Sequence, residues 1–202
     1  MGKGKIVAIM RGVEPENAVM VAGVLLEEGI NSMEVSLSDE EKGLQCIRAI
    51  AEAFKDRIDI GAGTVINEAQ VDKVIAAGAR FVITPGWDKE LVRYIMQKGL
   101  RVFPGVFSPG EIMAAINEKV EIMKLFPAGT LGTDYIKNLF GPFPKLKLMA
   151  VGGVNKSNIK AFYAAGCSFF GIGSDLIPRG AGERDLEYIR KSAQEYMSIL
   201  KE

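Results

Sequence analysis

The chain has 202 residues, with 25 lysines and arginines against 25 aspartates and glutamates, and it contains no histidine. That length suits one good core and is short for two domains, and the balanced charge leaves no basic stripe for nucleic acid. The missing histidine excludes Ser-His-Asp and Cys-His nucleophile schemes and removes the commonest zinc ligand, so acid–base work falls to carboxylate, lysine, tyrosine or cysteine.

No apolar stretch reaches membrane-spanning length. The opening Met1-Gly2-Lys3-Gly4-Lys5 runs directly into an apolar strand and lacks a signal-peptide core. Cys46 and Cys167 fit no metal spacing. The expectation is a reduced, cytoplasmic protein with no membrane or nucleic-acid partner.

The predicted elements alternate from end to end. The first strand, Lys5 to Met10, leads to a helix opened by Pro15, a residue suited to a first helical turn. The second, Ser32 to Leu37, is followed by Ser38 and Glu41 at capping-box spacing. The third, Ile58 to Ala62, precedes a weaker version of that signal in Asn67 and Gln70. Strands at Phe81 to Thr84 and Arg101 to Pro104 follow. A further capping box, Ser108-Pro109-Gly110-Glu111, carries proline at its first helical position. Glu121 to Phe126, Lys147 to Val151 and Phe169 to Gly173 complete the strands, each short and bounded by Gly, Pro or Ser. Gly29, Gly78, Gly99 and Gly166 stand where helices end, just before a strand, a place that favours the left-handed turn. About eight helix–glycine–strand units predict a single-domain (β/α)₈ TIM barrel over residues 1–202, with short loops. The rival, an open doubly wound sheet, lacks a G-x-G-x-x-G after the first strand.

Polar residues inside these apolar strands are the candidates for chemistry, which in this fold gathers at the strands' carboxyl ends. Lys124 lies in Met123-Lys124-Leu125-Phe126. A buried lysine responds by lowering its pKa, which yields a nucleophilic amine. Strand alternation puts Ser32, Glu34 and Ser36 on one face, so Glu34 is an inward carboxylate. A core salt bridge between Lys124 and Glu34 without activity is the other reading of the same pair. Arg11 ends the first strand and suits a carboxylate, or a surface ion pair. Gly61-Ala62-Gly63-Thr64 ends the third strand, where small residues admit a ligand to the backbone or simply form a turn. Gly152-Gly153 and Gly171-Ile172-Gly173-Ser174 follow the last two strands, the loops that often bind phosphate in this fold, with a short helix start expected there; simple turns are the other reading of these glycines.

These residues resemble the class I 2-keto-3-deoxy-6-phosphogluconate and 2-keto-3-deoxy-6-phosphogalactonate aldolase family, which also covers 4-hydroxy-2-oxoglutarate aldolase. The markers are Ala8-Ile9-Met10-Arg11-Gly12, Met33-Glu34-Val35-Ser36-Leu37, Gly61-Ala62-Gly63-Thr64-Val65, Ile83-Thr84-Pro85-Gly86, Phe103-Pro104-Gly105, Lys124-Leu125-Phe126-Pro127-Ala128, Gly141-Pro142-Phe143-Pro144, Val151-Gly152-Gly153-Val154 and Gly173-Ser174. The resemblance implies cleavage of a keto-deoxy phosphosugar acid to pyruvate and glyceraldehyde 3-phosphate, and of 4-hydroxy-2-oxoglutarate to pyruvate and glyoxylate. It implies that Lys124 forms the Schiff base and Glu34 moves protons. It also implies that Arg11 and Thr64 hold the pyruvyl end, and that Gly152, Gly153 and Ser174, with Gly173 beside them, hold the phosphate. Phe126, Pro127 and Trp87 are expected to wall the pocket, with plain core packing the other role open to the aromatics. Family members are trimers and use no metal or other cofactor, so a homotrimer is expected.

Two departures stand out. Much of the family carries an arginine where this chain has Ser38, and Lys156 and Arg179 are the candidates to supply that cation. Val151-Gly152-Gly153 resembles galactonate-type members, whereas Lys124-Leu125-Phe126-Pro127-Ala128 resembles the gluconate type, so the balance tilts to galactonate or to use of both. A phosphosugar isomerase or epimerase on the same barrel, and a noncatalytic sugar-acid-binding barrel, are the alternative functions.

Overall fold

The computed structural model describes residues 5–201. In chain order the elements are β1 (Lys5–Met10), α1 (Pro15–Glu27), β2 (Ser32–Ser36), α2 (Glu40–Phe54), β3 (Asp59–Gly63), α3 (Glu68–Ala76), β4 (Phe81–Ile83), α4 (Lys89–Gln97) and β5 (Arg101–Phe103). They continue with β6 (Gly105–Val106), α5 (Pro109–Asn117), β7 (Met123–Leu125), α6 (Ala128–Leu139), β8 (Leu148–Val151), α7 (Ile159–Ala164), β9 (Phe169–Ile172) and α8 (Leu186–Ile199). Every strand pair is parallel, in the order β5-β4-β3-β2-β1-β9-β8-β7-β6.

The two edges of this sheet, β5 and β6, are separated in sequence by Pro104 alone. They are the halves of one barrel strand, and the sheet closes on itself through it. Proline has no N–H to give a neighbouring strand. Its carbonyl accepts from the Lys124 N–H at 2.9 Å, and the Gly105 N–H turns to Thr84 Oγ1 at 3.2 Å. A side chain at Gly105 would come within 2.4 Å of the Pro85 carbonyl, so the closure has room only for glycine. The barrel expected from sequence is therefore present, with its fifth strand split in two.

Alternation along each strand sorts side chains into two layers. Outward residues such as Ala8, Met10, Met33 and Val35 pack beneath the helices. Inward residues Val7, Ile9, Phe81, Ile83, Phe103, Met149 and Val151 form a separate cluster inside the barrel. Three inward glycines make space for larger neighbours. A Cβ on Gly61 would lie 2.3 Å from the Phe81 ring, one on Gly171 2.8 Å from Val151 Cγ2, and one on Gly63 1.6 Å from Glu34 Oε1.

Local signals behave as expected at most ends. Pro15 begins α1, Asn67 caps α3, and Ser108 and Glu111 form the full capping box of α5. Gly29, Gly78, Gly99 and Gly166 all take positive φ after their helices. The predicted Ser38–Glu41 box does not form. Asp39 caps α2 instead, accepting from the Lys42 N–H at 3.3 Å, while the Ser38 hydroxyl is drawn to Ser36 Oγ at 2.8 Å.

Candidate active site

Glu34 lies on β2 and Lys124 on β7, four places apart in the closed sheet, so they face one another across the barrel. Both are buried, at 3% and 8% exposure. Glu34 has no packing neighbour from β3 because Gly63 carries no side chain there. Glu34 Oε2 makes no hydrogen bond among the described residues. A buried polar atom without a partner costs stability, so its presence in a folded protein calls for an explanation. Burial raises the Glu34 pKa, with the charges of Lys124 and Arg11 opposing the rise. Burial lowers the Lys124 pKa; the Glu34 charge opposes this and the Arg11 charge adds to it. The two groups thus approach one another in acidity, which suits an amine that must be uncharged and a carboxyl that must carry a proton. The core salt bridge considered from sequence is not formed, because the pair is held apart on opposite walls.

Arg11 follows β1 and is exposed at the barrel rim. Thr64 follows β3 in a left-handed conformation, φ +64°, which is uncommon for a β-branched residue and aims its hydroxyl at Ser36. Thr64 Oγ1 lies 3.2 Å from Ser36 Oγ, which in turn lies 2.8 Å from Ser38 Oγ. Ser36 was legible from sequence as an inward residue; its part as the middle of this hydroxyl chain was not. Phe126 follows β7, with its ring centroid 5.0 Å from Lys124 Nζ.

The glycine loops sit beyond β8 and β9. Gly152 and Gly153 take φ of +86° and +77°, and a Cβ on Gly152 would lie 2.9 Å from the Phe126 ring. Their carbonyls are engaged: the Gly129 N–H donates to Gly152 O at 2.7 Å and Asn158 Nδ2 to Gly153 O at 2.8 Å. After β9, the Leu176 and Ile177 N–H groups both donate to Gly173 O at 2.9 Å. That single turn stands where a short helix start was expected. Ser174 is exposed on it. Asp175 pins the turn to α8, accepting from the Tyr196 hydroxyl at 2.5 Å on its carboxylate and from the Tyr188 hydroxyl at 3.0 Å on its carbonyl. Sequence reading missed this latch, whose partners lie far along the chain.

Three expectations change. Trp87 is partly buried and packs against the outer, helix-facing core, the packing role that its aromatic ring also allowed. Lys156 is committed elsewhere, donating to Glu195 Oε2 at 2.6 Å and Ser192 Oγ at 3.0 Å on α8. The β3 glycines serve Phe81 and Glu34 by giving them room, beyond any approach of a ligand to the backbone.

The model of the family described as KDPG and KHG aldolase matches residues 1–192. The chain belongs to this aldolase family, whose members are carbon–carbon lyases. It is 32% identical to the 2-dehydro-3-deoxy-6-phosphogalactonate aldolase of Escherichia coli K12, over 97% of this chain and 93% of that one. It is 31% identical to the KHG/KDPG aldolase of the same organism, over 95% and 90% of the two chains. Among solved structures, native KDPGal superposes with a TM-score of 0.90 at 30% identity, covering 100% of this chain and 96% of that one. The KDPG aldolase of Legionella pneumophila, with pyruvate captured at low pH as a covalent carbinolamine, superposes with a TM-score of 0.84 at 29% identity, over 98% and 93%. Among the described residues no helix is long and apolar enough to cross a membrane.

Proposed function

We propose that this protein is a class I aldolase that cleaves a 2-keto-3-deoxy-6-phospho sugar acid to pyruvate and glyceraldehyde 3-phosphate, with Lys124 as imine-forming amine and Glu34 as proton carrier. 4-Hydroxy-2-oxoglutarate, giving pyruvate and glyoxylate, is a second substrate. The observation that carries this reading is the buried Lys124–Glu34 pair, unbridged on opposite walls of the barrel, with one Glu34 oxygen free of partners.

The neutral Lys124 amine adds to the C2 ketone, and Glu34 supplies the proton with which the C2 hydroxyl leaves as water. The resulting iminium draws electrons from the C3–C4 bond. Glu34, now a carboxylate, takes the C4 hydroxyl proton as that bond breaks. The aldehyde departs and an enamine remains. Glu34 returns the proton to C3, and water hydrolyses the imine to free pyruvate and restore Lys124. Arg11 and Thr64 hold the pyruvyl end and Phe126 walls it. Gly152, Gly153, Gly173 and Ser174 receive the phosphate through neutral donors.

A phosphosugar isomerase or epimerase has no use for an uncharged amine at a strand centre, and a noncatalytic sugar-acid-binding barrel has none for an unpaired carboxyl. Residues 1–202 act as one aldolase domain, in a cytoplasmic homotrimer without metal or other cofactor. Incubation with pyruvate and borohydride tests the reading: it should leave a reduced adduct on Lys124. No adduct, under conditions that label a control aldolase, would remove the imine. Turnover on the two C4-epimeric phosphosugar acids then decides between gluconate and galactonate preference.

A further inference from the structure

The last helix, α8, holds both of the glycine loops proposed to receive the phosphate. Tyr188, Ser192, Glu195 and Tyr196 follow one another at intervals of three and four residues or less, so they share one face of α8. Two loops meet that face. From the loop after β8, Lys156 donates to Ser192 Oγ at 3.0 Å and to Glu195 Oε2 at 2.6 Å. From the loop after β9, Asp175 accepts from the Tyr188 hydroxyl on its carbonyl and from the Tyr196 hydroxyl on its carboxylate. The two anchorages adjoin, with Lys156 Nζ 5.7 Å from the centroid of the Tyr188 ring and 5.9 Å from that of Tyr196.

Tyr196 is fully buried, at 0% exposure. Phenylalanine would supply the same apolar ring without a polar atom to satisfy. A buried tyrosine needs a partner for its hydroxyl, and Asp175 is that partner at 2.5 Å. The bond holds the turn in which the Leu176 and Ile177 N–H groups close on Gly173 O. Ser174 lies between Gly173 and Asp175 and is exposed, so packing does little to fix it. Gly173 itself is not among the glycines of positive φ, and no atom lies within 4 Å of where its side chain would stand. Neither backbone strain nor a neighbour demands glycine there. The open space beside it suits a ligand approaching the main chain.

We infer that Tyr196 is a positioning residue for the proposed reaction: through Asp175 it fixes the loop after β9, so that Gly173 and Ser174 present their donors to the phosphate in register with Gly152 and Gly153. This rests on the aldolase reading above and deepens it at the phosphate end. Tyr196 lies beneath the turn and touches no substrate. Neutral donors arriving from two separate loops must converge on one group, and hydrogen bonds weaken steeply as they lose alignment. One helix face that ties down both loops supplies that convergence.

The test compares two ligands in the full-length protein. One is the 2-keto-3-deoxy-6-phospho sugar acid, followed by cleavage. The other is pyruvate, followed by borohydride labelling of Lys124, which presents the keto acid without a phosphate. Tyr196→Phe keeps the ring and removes the hydroxyl. It should raise KM for the phosphosugar acid about tenfold, the lower end for losing a hydrogen bond to a charged group, with kcat little changed and half-saturating pyruvate unmoved. Asp175→Ala cuts the same bond from the loop side, outside the core, and should give the same split; it decides alone if Tyr196→Phe does not fold. Asp175→Asn keeps an acceptor oxygen and should recover most of the affinity. The two changes combined should lose no more than either alone, since they remove one shared bond. An unchanged KM in Tyr196→Phe and Asp175→Ala overturns the assignment. So does an equal rise for pyruvate, which would mark a general loosening of the barrel. In both cases pyruvate still labels Lys124 and the imine reading stands. A wild-type chain that takes no label overturns that reading, and the positioning role with it.

Discussion

The barrel carries a pair of opposite charges toward each mouth, and the two pairs are built differently. At the amino-terminal mouth Asp59 opens β3 and Arg101 opens β5, and the two are hydrogen-bonded directly. Their side chains are 31% and 55% exposed, and the Arg101 guanidinium also lies 5.4 Å from the centroid of the Phe81 ring. Glu34 and Lys124 are nearly sealed from solvent, stand on opposite walls and are not bridged. Contact and solvent neutralise the first pair. Separation and burial leave the second pair costly to ionise, which raises the Glu34 pKa and lowers that of Lys124. One scaffold therefore contains an exposed, bridged pair of charges and a buried, unbridged one, and what separates them is distance and burial, not residue type.

Five changes would break or sharpen this contrast. Lys124→Ala should abolish cleavage and pyruvate labelling while the circular dichroism spectrum and melting curve stay native; retained turnover would mean that another amine does the work. Glu34→Gln should slow turnover by about 10²–10⁴-fold, the span usual for general acid–base catalysis, and a rate close to wild type would relieve Glu34 of its role.

Gly63→Ala is a more pointed test of the same group, since the new methyl would sit 1.6 Å from Glu34 Oε1 and must push the carboxyl aside. A shift of about 1 Å in a catalytic group is enough for roughly a 10²-fold loss in kcat, accompanied by about 1–3 kcal/mol of overpacking. Wild-type kcat with normal stability would show that the carboxyl has room to move.

The pH dependence of labelling should follow the neutral fraction of Lys124, rising through a midpoint below that of an ordinary lysine because burial lowers it. Arg11→Ala removes a repelling charge, so protonated Lys124 becomes easier to hold and the midpoint should move up. Glu34→Gln removes an attracting charge and should move it down. Shifts of the opposite sign, read from labelling rates against pH, would contradict the proposed electrostatics. Smallest of all, Arg101→Ala should cost about 0–1 kcal/mol in urea unfolding, as expected for an exposed pair, and should leave kcat unchanged. A large loss of activity there would mean that the two mouths are coupled.

Much of this molecule was legible in one dimension. The predicted strands agree with those observed to within two residues at either end, because their alternation, short length and Gly, Pro or Ser boundaries are local properties. Lys124 and Glu34 stood out for the same reason: a charge inside an apolar run is visible without knowing its surroundings. The Ser38 box failed by one residue because a competing hydroxyl, Ser36, lies two positions back and won the hydrogen bond. Lys156 looked available until its partners on α8, more than thirty residues away in sequence, came into view.

What the amino-acid sequence determined alone was the order of strands and helices, most of their ends, and the inward direction of the Lys124 amine and the Glu34 carboxylate, all consequences of backbone periodicity and side-chain size. Tertiary structure decided the closure of the barrel through a strand divided at Pro104, and the use of Gly61, Gly63 and Gly171 as room for larger neighbours. It also decided the surroundings of the candidate cations, with Lys156 bound to Glu195 and Arg179 laid over Gly12. Those outcomes depend on atoms brought together from distant parts of the chain, and no local pattern contains the distances between them.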